Sequence, residues 1–482
     1  MVGAVKTYRR IEHVLRVVAA AAAIAMMSAA PAVAQNAAAP DWGKLDAEAL
    51  DYFRAYVRFD TTNPPGNTSA AIAYLKEILD GEGIQTKTFE STPGMVSLVA
   101  RIPGPPGIKP LILMSHADVV PVVAKNWTHQ PFSADLSDGY VWGRGTIDNK
   151  AHGIMALMTM LVLKRNHVAL RRGIEMMVNA DEEAGGANGA QWMVKNHWDA
   201  IDPAFAFNEG GVATTGWLGI QGTTIPVAVT EKRVMWLHLT VHGKGGHGSV
   251  PRPDNPNLIM VRALDRLLAE QPPISLTPVV AEAFKIAAPL EPFPESMELT
   301  HPDWPGMLGL AQRSVLGSYP IQALLRDTIS LTMLNAGMKV NVVPSTSEAS
   351  LDCRLLPGTD AEAFIRRMEE LLGPGEISID YIQRPDDAPA SPSDGEAWEA
   401  IQHVAKADFG GSIVVPWMTS GGTDSRFIRA HGVPAYGFVP VILPASELAR
   451  IHGDDERLST DNLNLGIKAT YDLAADLCAA KQ

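Results

Sequence analysis

The sequence contains very little cysteine and no concentrated positive charge. Its 482 residues include two cysteines, Cys353 and Cys478, which form no CxxC motif. A disulfide framework and a thiolate metal site are therefore not expected, and any bound metal would have oxygen and nitrogen ligands. The sequence has no block of five or more lysines and arginines, and its formal net charge is -13. Nucleic acid is not an expected partner, because its phosphates would meet no basic surface.

Long apolar runs are also missing after the N-terminal segment. In that segment, four basic residues precede the stretch "VVAAAAAIAMMSAA", and Ala32 and Ala34 form an A-x-A pattern. This order is typical of a secretory signal peptide, which we predict at residues 1–34 with cleavage after Ala34. An uncleaved membrane anchor is the alternative, although the stretch is shorter than the roughly 20 residues of a spanning helix. We expect an exported protein, periplasmic or secreted, without stable membrane insertion after cleavage.

The remaining chain alternates between strand-like and helix-like apolar patterns, which predicts an α/β architecture. The runs "MVSLVARI", "PLILMSHADVV" and "GIEMMVNADEE" indicate buried strands, and "AHGIMALMTMLVLKRN" indicates a helix. After residue 231 the predicted order becomes β-α-β-β-α-β, with "MKVNVVP" and "SEASLDCRLLPG" as the two middle strands. We predict one domain in two parts, 44–231 and 386–482, around an inserted domain at 232–385 that carries a Pro-rich insertion at about 271–330.

Acidic and histidine side chains follow several predicted strands, where ligands of α/β sheets collect. Taken singly, an H-x-D or a "DEE" motif is usually structural, so the set carries more weight than any member. If these side chains converge, their carboxylates require a counter-charge, and histidine with aspartate and glutamate is a ligand set suited to zinc or manganese. The set comprises His116, Asp118, Asp148, Glu182, Glu183, Glu209 and His452.

Eight motifs resemble, in order and approximate spacing, the M20 family of co-catalytic metallopeptidases and amidohydrolases. That family includes carboxypeptidase G2, aminoacylase-1 and the carboxypeptidase S type. The motifs are "SHADVVP", "WGRGTIDNK", "NADEEAGG", "NEGG", "GGHGSVP", "VNVVPS…LDCRLLPG", "SGGTDSR" and "IHGDDER". The resemblance implies a co-catalytic metallopeptidase domain, with a mixed sheet flanked by helices, and an inserted ferredoxin-like lid and dimerisation domain.

The resemblance further implies two metal sites that share one carboxylate. His116, Asp148 and Glu209 would bind one divalent ion, and Asp148, Glu183 and His452 would bind the other. Zinc is the expected metal, with manganese or cobalt as alternatives. A non-proline cis peptide bond is expected directly after Asp148.

Catalytic roles follow from the same resemblance. Glu182 matches the general base, which would take a proton from a metal-bridged water and deliver it to the leaving nitrogen. Asp118 would orient His116 through its second ring nitrogen. His247 of the inserted domain would reach the active site of a dimer partner and stabilise the oxyanion. Asp181 is interpreted as a loop or cap residue.

Four further residues match substrate-binding positions. Asn341 and Arg354 would bind the substrate carboxylate, for which a guanidinium is well suited. Gly422 and Thr423 would line the same pocket. The sequence departs from the family at Asn208, where many relatives have aspartate before the ligand glutamate.

These motifs predict a two-metal hydrolase that cleaves an amide or peptide bond adjacent to a free carboxylate. The substrate would be a small peptide or an N-acyl amino acid, so the activity would be that of a carboxypeptidase or an N-acyl-amino-acid amidohydrolase. An aminopeptidase or dipeptidase of the same family is the alternative. A non-catalytic peptide-binding member is a second alternative, which the retention of Glu182 and of every predicted metal ligand disfavours.

Overall fold

The computed structural model describes residues 40–217, 222–301, 318–373 and 377–481. The predicted signal peptide and part of the Pro-rich insertion lie outside the described residues. The helices are α1 (Trp42–Val57), α2 (Ser69–Gly81), α3 (Lys150–Arg165), α4 (Ala190–His197), α5 (Pro256–Ala269), α6 (Pro278–Ala287), α7 (Glu295–Thr300), α8 (Tyr319–Leu324), α9 (Ala361–Leu372), α10 (Gly395–Asp408), α11 (Ser425–Ala430), α12 (Ala445–Leu448) and α13 (Thr460–Cys478). The strands are β1 (Gln85–Thr92), β2 (Met95–Ile102), β3 (Leu111–His116), β4 (Asp135–Ser137), β5 (Tyr140–Trp142), β6 (Ile174–Asn179), β7 (Phe205–Thr215), β8 (Thr223–Glu231), β9 (Arg233–His242), β10 (Gly246–His247), β11 (Thr328–Asn335), β12 (Val342–Val343), β13 (Thr346–Leu355), β14 (Ser378–Gln383), β15 (Ile413–Thr419), β16 (Ala435–Ile442) and β17 (Arg457–Ser459).

The largest sheet has eight strands in the order β1-β2-β6-β3-β7-β16-β8-β15. Its central strands β6, β3, β7 and β16 run parallel, whereas β1, β2 and the β7–β8 hairpin add antiparallel pairings. Strands β3 and β6 are buried along their whole length, as expected for strands covered on both faces. This mixed sheet, flanked by helices, confirms the predicted α/β class.

Helices cover both faces of this sheet. On one face, α3 is buried around nearly its whole circumference, because it lies between the sheet and the helices α1 and α13. A helix in that position needs apolar residues on every side, and its sequence "KAHGIMALMTMLVLKR" provides them. On the other face, α4 and α11 pack against apolar residues of β3, β6 and β7. The core therefore fixes the ends of the central strands.

A second sheet has four antiparallel strands in the order β11-β13-β9-β14. Helices α5 and α9 pack on one face of it through Met260, Leu264, Ile365 and Met368. This order is that of a ferredoxin-like β-α-β-β-α-β unit.

One strand of this second sheet was predicted in the wrong place. The strand adjacent to β13 is β11, whereas "MKVNVVP" contributes only Val342 and Val343, which pair with Gly246 and His247 outside the sheet. The strand β11 thus begins inside the predicted Pro-rich insertion, because "TISLTMLN", which favours extended chain, is the segment that pairs with β13.

The chain crosses between the two sheets at adjacent points. It enters the second sheet at Glu231, Lys232 and Arg233 and leaves it before Asp386. Arg233 Nε donates a hydrogen bond to the Asp386 carbonyl at 2.8 Å, which joins the two crossings. Buried Lys232 donates through Nζ to the carbonyls of Ala323 and Arg326 at 2.8 and 2.9 Å, and so anchors the C-terminal end of the insertion.

In the part of the chain that the structure describes, no helix is both long and apolar enough to span a bilayer.

We predict that Glu175 makes the free energy of unfolding pH-dependent. Burial raises the pKa of this carboxyl on β6 from 4.5 to about 7, although Arg101 lowers it in part. Its contribution to stability is therefore complete below pH 4.5 and is lost as the pH rises through about 7. The loss amounts to up to about 3 kcal/mol. Urea unfolding of Glu175→Gln and wild type should show a variant that is relatively more stable at pH 8 than at pH 5. An equal difference at both pH values would contradict this assignment.

Candidate active site

The residues predicted to carry chemistry lie at one edge of the eight-stranded sheet. His116 is the last residue of β3, and it is paired in parallel register with Asn179, the last residue of β6. Glu182 and Glu183 follow β6 in a 3-10 turn. On β7, pairing with β3 reaches only Phe207, so Glu209 lies just beyond the paired segment. Parallel strands end at the same edge, which brings these side chains together.

Asp148 lies between two imidazole rings. Its Oδ1 is 3.0 Å from His116 Nε2, and its Oδ2 is 3.2 Å from His452 Nε2. Glu209 Oε2 lies 3.4 Å from the His116 nitrogen, and Glu183 Oε2 lies 3.2 Å from the His452 nitrogen. The structure thus forms two histidine–carboxylate groups that share Asp148, with the same membership that the resemblance implies. The peptide bond after Asp148 is cis, as expected.

Asp118 connects two neighbouring strand ends. Its main-chain carbonyl is 2.9 Å from His116 Nδ1, whereas its carboxylate Oδ1 is 3.6 Å from that nitrogen. The carboxylate instead accepts hydrogen bonds from the main-chain nitrogens of Glu182 and Glu183, both at 3.1 Å. It also accepts from Asn63 Nδ2 at 2.9 Å. The carbonyl therefore holds the ring, and the carboxylate holds the turn that carries both glutamates.

Glu182 and Glu183 lie in two clusters that share His116 but differ in their carboxylates. Glu182 groups with His116 and Glu209, whereas Glu183 groups with His116 and Asp148. The turn begins at Asp181, which has a left-handed conformation with φ of 67°. Asp181 is buried and accepts hydrogen bonds from Asn63 Nδ2 and the main-chain nitrogen of Asn188. Asp181 is a loop residue, as interpreted from the sequence, and the hydrogen bonds of its carboxylate also stabilise the turn.

Burial dominates the electrostatics of these carboxylates. It raises the pKa of Glu183 to about 7, and it raises the pKa of Glu182 well above its usual range, with Glu209 adding to the effect. Asp148 shows the reverse: burial opposes ionisation, but hydrogen bonds from His116 and His452 lower its pKa below the usual range. Hydrogen bonds with Asp148 and Glu183 raise the pKa of His452 to about 10. Hydrogen bonds within the protein therefore stabilise the ionised form of Asp148. The ionised forms of Glu182, Glu183 and Glu209 lack a sufficient counter-charge.

This donor set fits divalent cations. Glu183 Oε1 is buried and has no hydrogen-bond partner, and buried carboxylate oxygens normally have one. Two imidazole nitrogens and several carboxylate oxygens, without thiolates, match the ligands that zinc and manganese prefer. Two cations would supply the positive charge that Glu183 and Glu209 lack.

Two adjoining cavities open beside this group. The larger, about 420 Å³, is lined by Asp148, Glu209, Thr423 and several apolar side chains. The smaller, about 170 Å³, is lined by Arg354, Gly422 and Arg426. Both cavities include Glu182, Glu183, Gly421, Gly422 and His452 in their walls. The predicted substrate residues Arg354, Gly422 and Thr423 therefore lie beside the histidine–carboxylate groups.

His247 and Asn341 lie elsewhere. Both are exposed and next to each other, because Gly248 donates its main-chain N–H to the Asn341 carbonyl at 2.9 Å. Neither residue lines either cavity, and His247 Nδ1 is 2.7 Å from Ser249 Oγ. Within one chain, these two predicted residues are not part of the cleft.

Sequence reasoning missed a buried ion pair that joins the two loops carrying Asp148 and His452. Arg144 Nη1 donates to Glu456 Oε2 at 2.6 Å, and its Nη2 donates to the carbonyls of His452 and Gly453. Glu456 Oε1 accepts from the main-chain nitrogens of Ile147 and Asp148 at 2.7 and 3.1 Å. The signal was available, since the motifs "WGRGTIDNK" and "IHGDDER" each contain one of these opposite charges.

A second missed residue, Glu231, holds the loop of Gly421, Gly422 and Thr423, which lines the cavities. Its buried carboxylate accepts hydrogen bonds from the main-chain nitrogen of Thr423 and from Arg429. Asn208, the position that departs from the family, is buried and donates to Ser425 Oγ at 3.1 Å. The amide at this position therefore has a partner on the helix that follows the same loop.

We expect Glu456→Gln to weaken zinc binding by about 10- to 100-fold, because it loosens the loops that carry Asp148 and His452. The same change leaves Arg144 buried without its full counter-charge, so thermal stability should also fall. Isothermal titration of metal-free protein with zinc would measure the affinity. Glu48→Gln is the matched control, since Glu48 pairs with Arg165 between α1 and the C-terminal end of α3, away from both loops. Equal zinc affinity in the two variants would contradict the positioning role of Glu456.

Comparison with known proteins agrees with this geometry. The family model described as "Peptidase family M20/M25/M40" matches residues 112–476. An N-fatty-acyl-amino acid synthase/hydrolase from Bos taurus is 31% identical over 377 residues, which cover 76% of this chain and 74% of the relative. Aminoacylase-1 from Sus scrofa is 30% identical over 413 residues, which cover 84% and 89% of the two chains.

A solved structure supports the fold independently. The M20 family metallo-carboxypeptidase from Sulfolobus solfataricus superposes with a TM-score of 0.69 at 18% identity, over 89% of this chain and 99% of that one. At this identity the likeness concerns the fold alone. Together with the family match, the cleft identifies this chain as a member of the M20 peptidase family, and thus as an enzyme of the metallopeptidase-type hydrolases.

Proposed function

We propose that this protein is a two-metal hydrolase that cleaves an amide bond adjacent to a free carboxylate. The observation that carries the proposal is the pair of histidine–carboxylate groups sharing Asp148, with Glu182 beside them and Arg354 in the adjoining cavity. His116, Asp148 and Glu209 would hold one ion, and Asp148, Glu183 and His452 the other. Zinc is the proposed metal, with manganese and cobalt as alternatives.

The chain's own residues would perform most of the reaction. Bound cations would polarise the scissile carbonyl and lower the pKa of the attacking water toward ~7. Glu182 would accept the proton of that water and pass it to the leaving nitrogen, since it lies in the wall of both cavities. The Asp118 carboxylate would keep Glu182 in place through the main-chain nitrogen of that residue.

The substrate carboxylate would bind in the smaller cavity. Arg354 and Arg426 both line it together with Glu182. Arg426 already donates to Asp386 and to the carbonyls of Thr423 and Gly185, so Arg354 is the proposed primary contact. Arg354 is held by Asp352 through two hydrogen bonds, at 2.7 and 3.1 Å, which orient the planar guanidinium before a substrate arrives. The absence of a side chain at Gly422 leaves space in the smaller cavity, because a Cβ at this position would lie 2.7 Å from Val234 and 3.1 Å from Arg426 Nη1.

An N-acyl amino acid fits the cleft better than a free dipeptide does. A dipeptide amine would require an uncommitted carboxylate in the larger cavity. The described acidic residues lining that cavity are Asp148, Glu182, Glu183 and Glu209, all of which have a proposed task. The remaining lining residues are mainly apolar. N-Acyl-amino-acid hydrolysis is also consistent with the names of the bovine and porcine relatives. Dipeptidase activity therefore remains the second candidate.

We further propose that two copies of the chain associate through the second sheet. Strand β11 forms an edge of that sheet and exposes Met333 and Leu334, and the segment after it exposes Met338 and Val340 almost completely. Apolar side chains on a free strand edge favour pairing with another chain. In such a dimer, His247 and Asn341 would complete the partner's cleft.

Export is the remaining part of the proposal. It depends on the order of charge, apolar residues and the A-x-A pattern in residues 1–34, which predicts secretion and cleavage after Ala34. N-terminal sequencing of the protein recovered from the periplasm or the medium would test it.

We expect Glu182→Gln to reduce kcat for N-acyl amino acids by about 10²- to 10⁴-fold, because the attacking water loses its base. Metal content, measured by mass spectrometry, should stay at the wild-type value. Glu77→Gln, on the exposed face of α2, is the matched control.

The same assay tests the metals. A chelator should abolish wild-type hydrolysis, and zinc, manganese or cobalt should restore it. Near wild-type turnover by Glu182→Gln would refute the base assignment. Chelator-resistant activity would refute the metal-dependent mechanism.

Mixing two inactive variants would test whether His247 acts across a dimer. His247→Ala and Glu182→Gln should each be nearly inactive. After mixed refolding or co-expression, about a quarter of wild-type activity should return, since half of the dimers combine one intact Glu182 with the partner subunit's intact histidine. If mixing restores nothing while size-exclusion chromatography shows mixed dimers, His247 does not act in trans.

A further inference from the structure

We propose that Trp217 and Trp417, supported by the Pro-rich insertion, form a binding site for a bulky apolar acyl group of the substrate. This inference rests on the proposed function, because it places the acyl side of the scissile amide in the larger cavity. It adds a preference among N-acyl amino acids that the histidine–carboxylate groups cannot provide by themselves.

The two cavities differ in chemistry as well as in size. The larger contains Trp217, Trp417, Leu448 and Ile451, whereas the smaller contains two arginines. Because both share Glu182 in their walls, a substrate whose amide lies beside Glu182 extends into both. The carboxylate end is drawn to the arginines. The acyl end then enters the apolar cavity, whose volume of about 420 Å³ falls in the range of small-molecule sites.

The two tryptophans form one continuous apolar wall. Their ring centroids are 4.8 Å apart at an interplanar angle of 77°, an edge-to-face arrangement. Trp217 follows the end of β7, and Trp417 lies on β15 at a bulge between it and Met418. Both rings are only partly buried. They therefore retain apolar surface that an acyl chain can cover, and burial of that surface would favour binding.

Residues of the insertion pack against the two tryptophans that form this wall. Helix α6 packs on β15, and its residues Val280 and Phe284 join a buried cluster with Met418. Trp217 and Trp417 pack against the same cluster. Neither Val280 nor Phe284 lines the cavity itself. The insertion thus contacts the proposed acyl site through one layer of side chains, and it can fix the position of the wall without touching the substrate.

A series of N-acyl leucines with acyl groups of two, six and ten carbons would test this site. For the wild type, kcat/KM should rise by up to about fourfold per buried methylene until the cavity is filled. Trp417→Ala should reduce the rise to less than about twofold per methylene, while hydrolysis of N-acetyl-leucine changes by less than about threefold. Phe284→Leu should lower the gain for ten carbons with little effect on the acetyl substrate.

Trp236→Ala is the matched control, since Trp236 lines only the smaller cavity. It should weaken all N-acyl leucines by a similar factor, so that the dependence on acyl length persists. Circular dichroism and thermal unfolding would identify a variant that fails to fold. If Phe284→Leu fails to fold, Val280→Ala in the same layer replaces it.

Binding should be measured separately from turnover. In the Glu182→Gln background, calorimetric titration with the same N-acyl leucines should give an affinity that rises with acyl length, and Trp417→Ala should flatten that rise. An affinity independent of acyl length, or unchanged by Trp417→Ala, would overturn the acyl site even if N-acetyl-leucine is hydrolysed. Conversely, length-dependent binding without hydrolysis by the metal-loaded wild type would overturn the proposed function and leave the acyl site standing.

Discussion

The burial of several carboxylates in one small region is the constraint around which the cleft is organised. Asp148, Glu183 and Glu209 surround two imidazoles, and a further buried carboxyl, Asp424, accepts a hydrogen bond from Asn179 on the neighbouring strand. Burial raises the pKa of Asp424 to about 7, as it does for Glu183. Such a group persists only if its geometry is imposed by the surrounding structure, because the isolated charges would separate or take up protons.

The surrounding structure imposes that geometry through main-chain contacts. The carboxylate of Asp118 binds two consecutive main-chain nitrogens of the glutamate turn, and Glu456 binds those of Ile147 and Asp148. In both cases a buried acid restrains a loop instead of facing the cleft. The buried acids of this region therefore have two roles. Some face the cleft, whereas others accept hydrogen bonds from main-chain nitrogens and hold a loop in place.

Much of this arrangement could be predicted from the sequence. The buried runs before His116 and Asp181 identified β3 and β6, because uninterrupted apolar segments are typical of central strands. The membership of the histidine–carboxylate groups followed from ordered motifs, and the structure brings those residues together. Strand β11 could not be placed by the same means, since "MKVNVVP" and "TISLTMLN" have similar propensities and only pairing with β13 distinguishes them.

Contacts between segments that are far apart in the sequence were the hardest feature to predict. The approach of α6 to β15 is set by tertiary packing, and nothing in the spacing of Val280 or Phe284 indicates a neighbour more than 100 residues away. The same holds for Arg144 and Glu456, which are 312 residues apart. Local patterns specify which residues are buried, whereas the identity of their partners depends on the whole fold.

The side-by-side chain crossings between the two sheets have a mechanical consequence. A single flexible connection constrains the position of a domain weakly, whereas two connections held side by side constrain it more strongly. Arg233 fastens the outgoing segment to the returning one at Asp386, so the two chain connections between the sheets are held together at one place. Arg354 lies on β13 of the second sheet, and Glu182 lies at the edge of the first. Any displacement of one sheet relative to the other would therefore change the distance between the guanidinium and the glutamate, and with it the length of substrate that can span them.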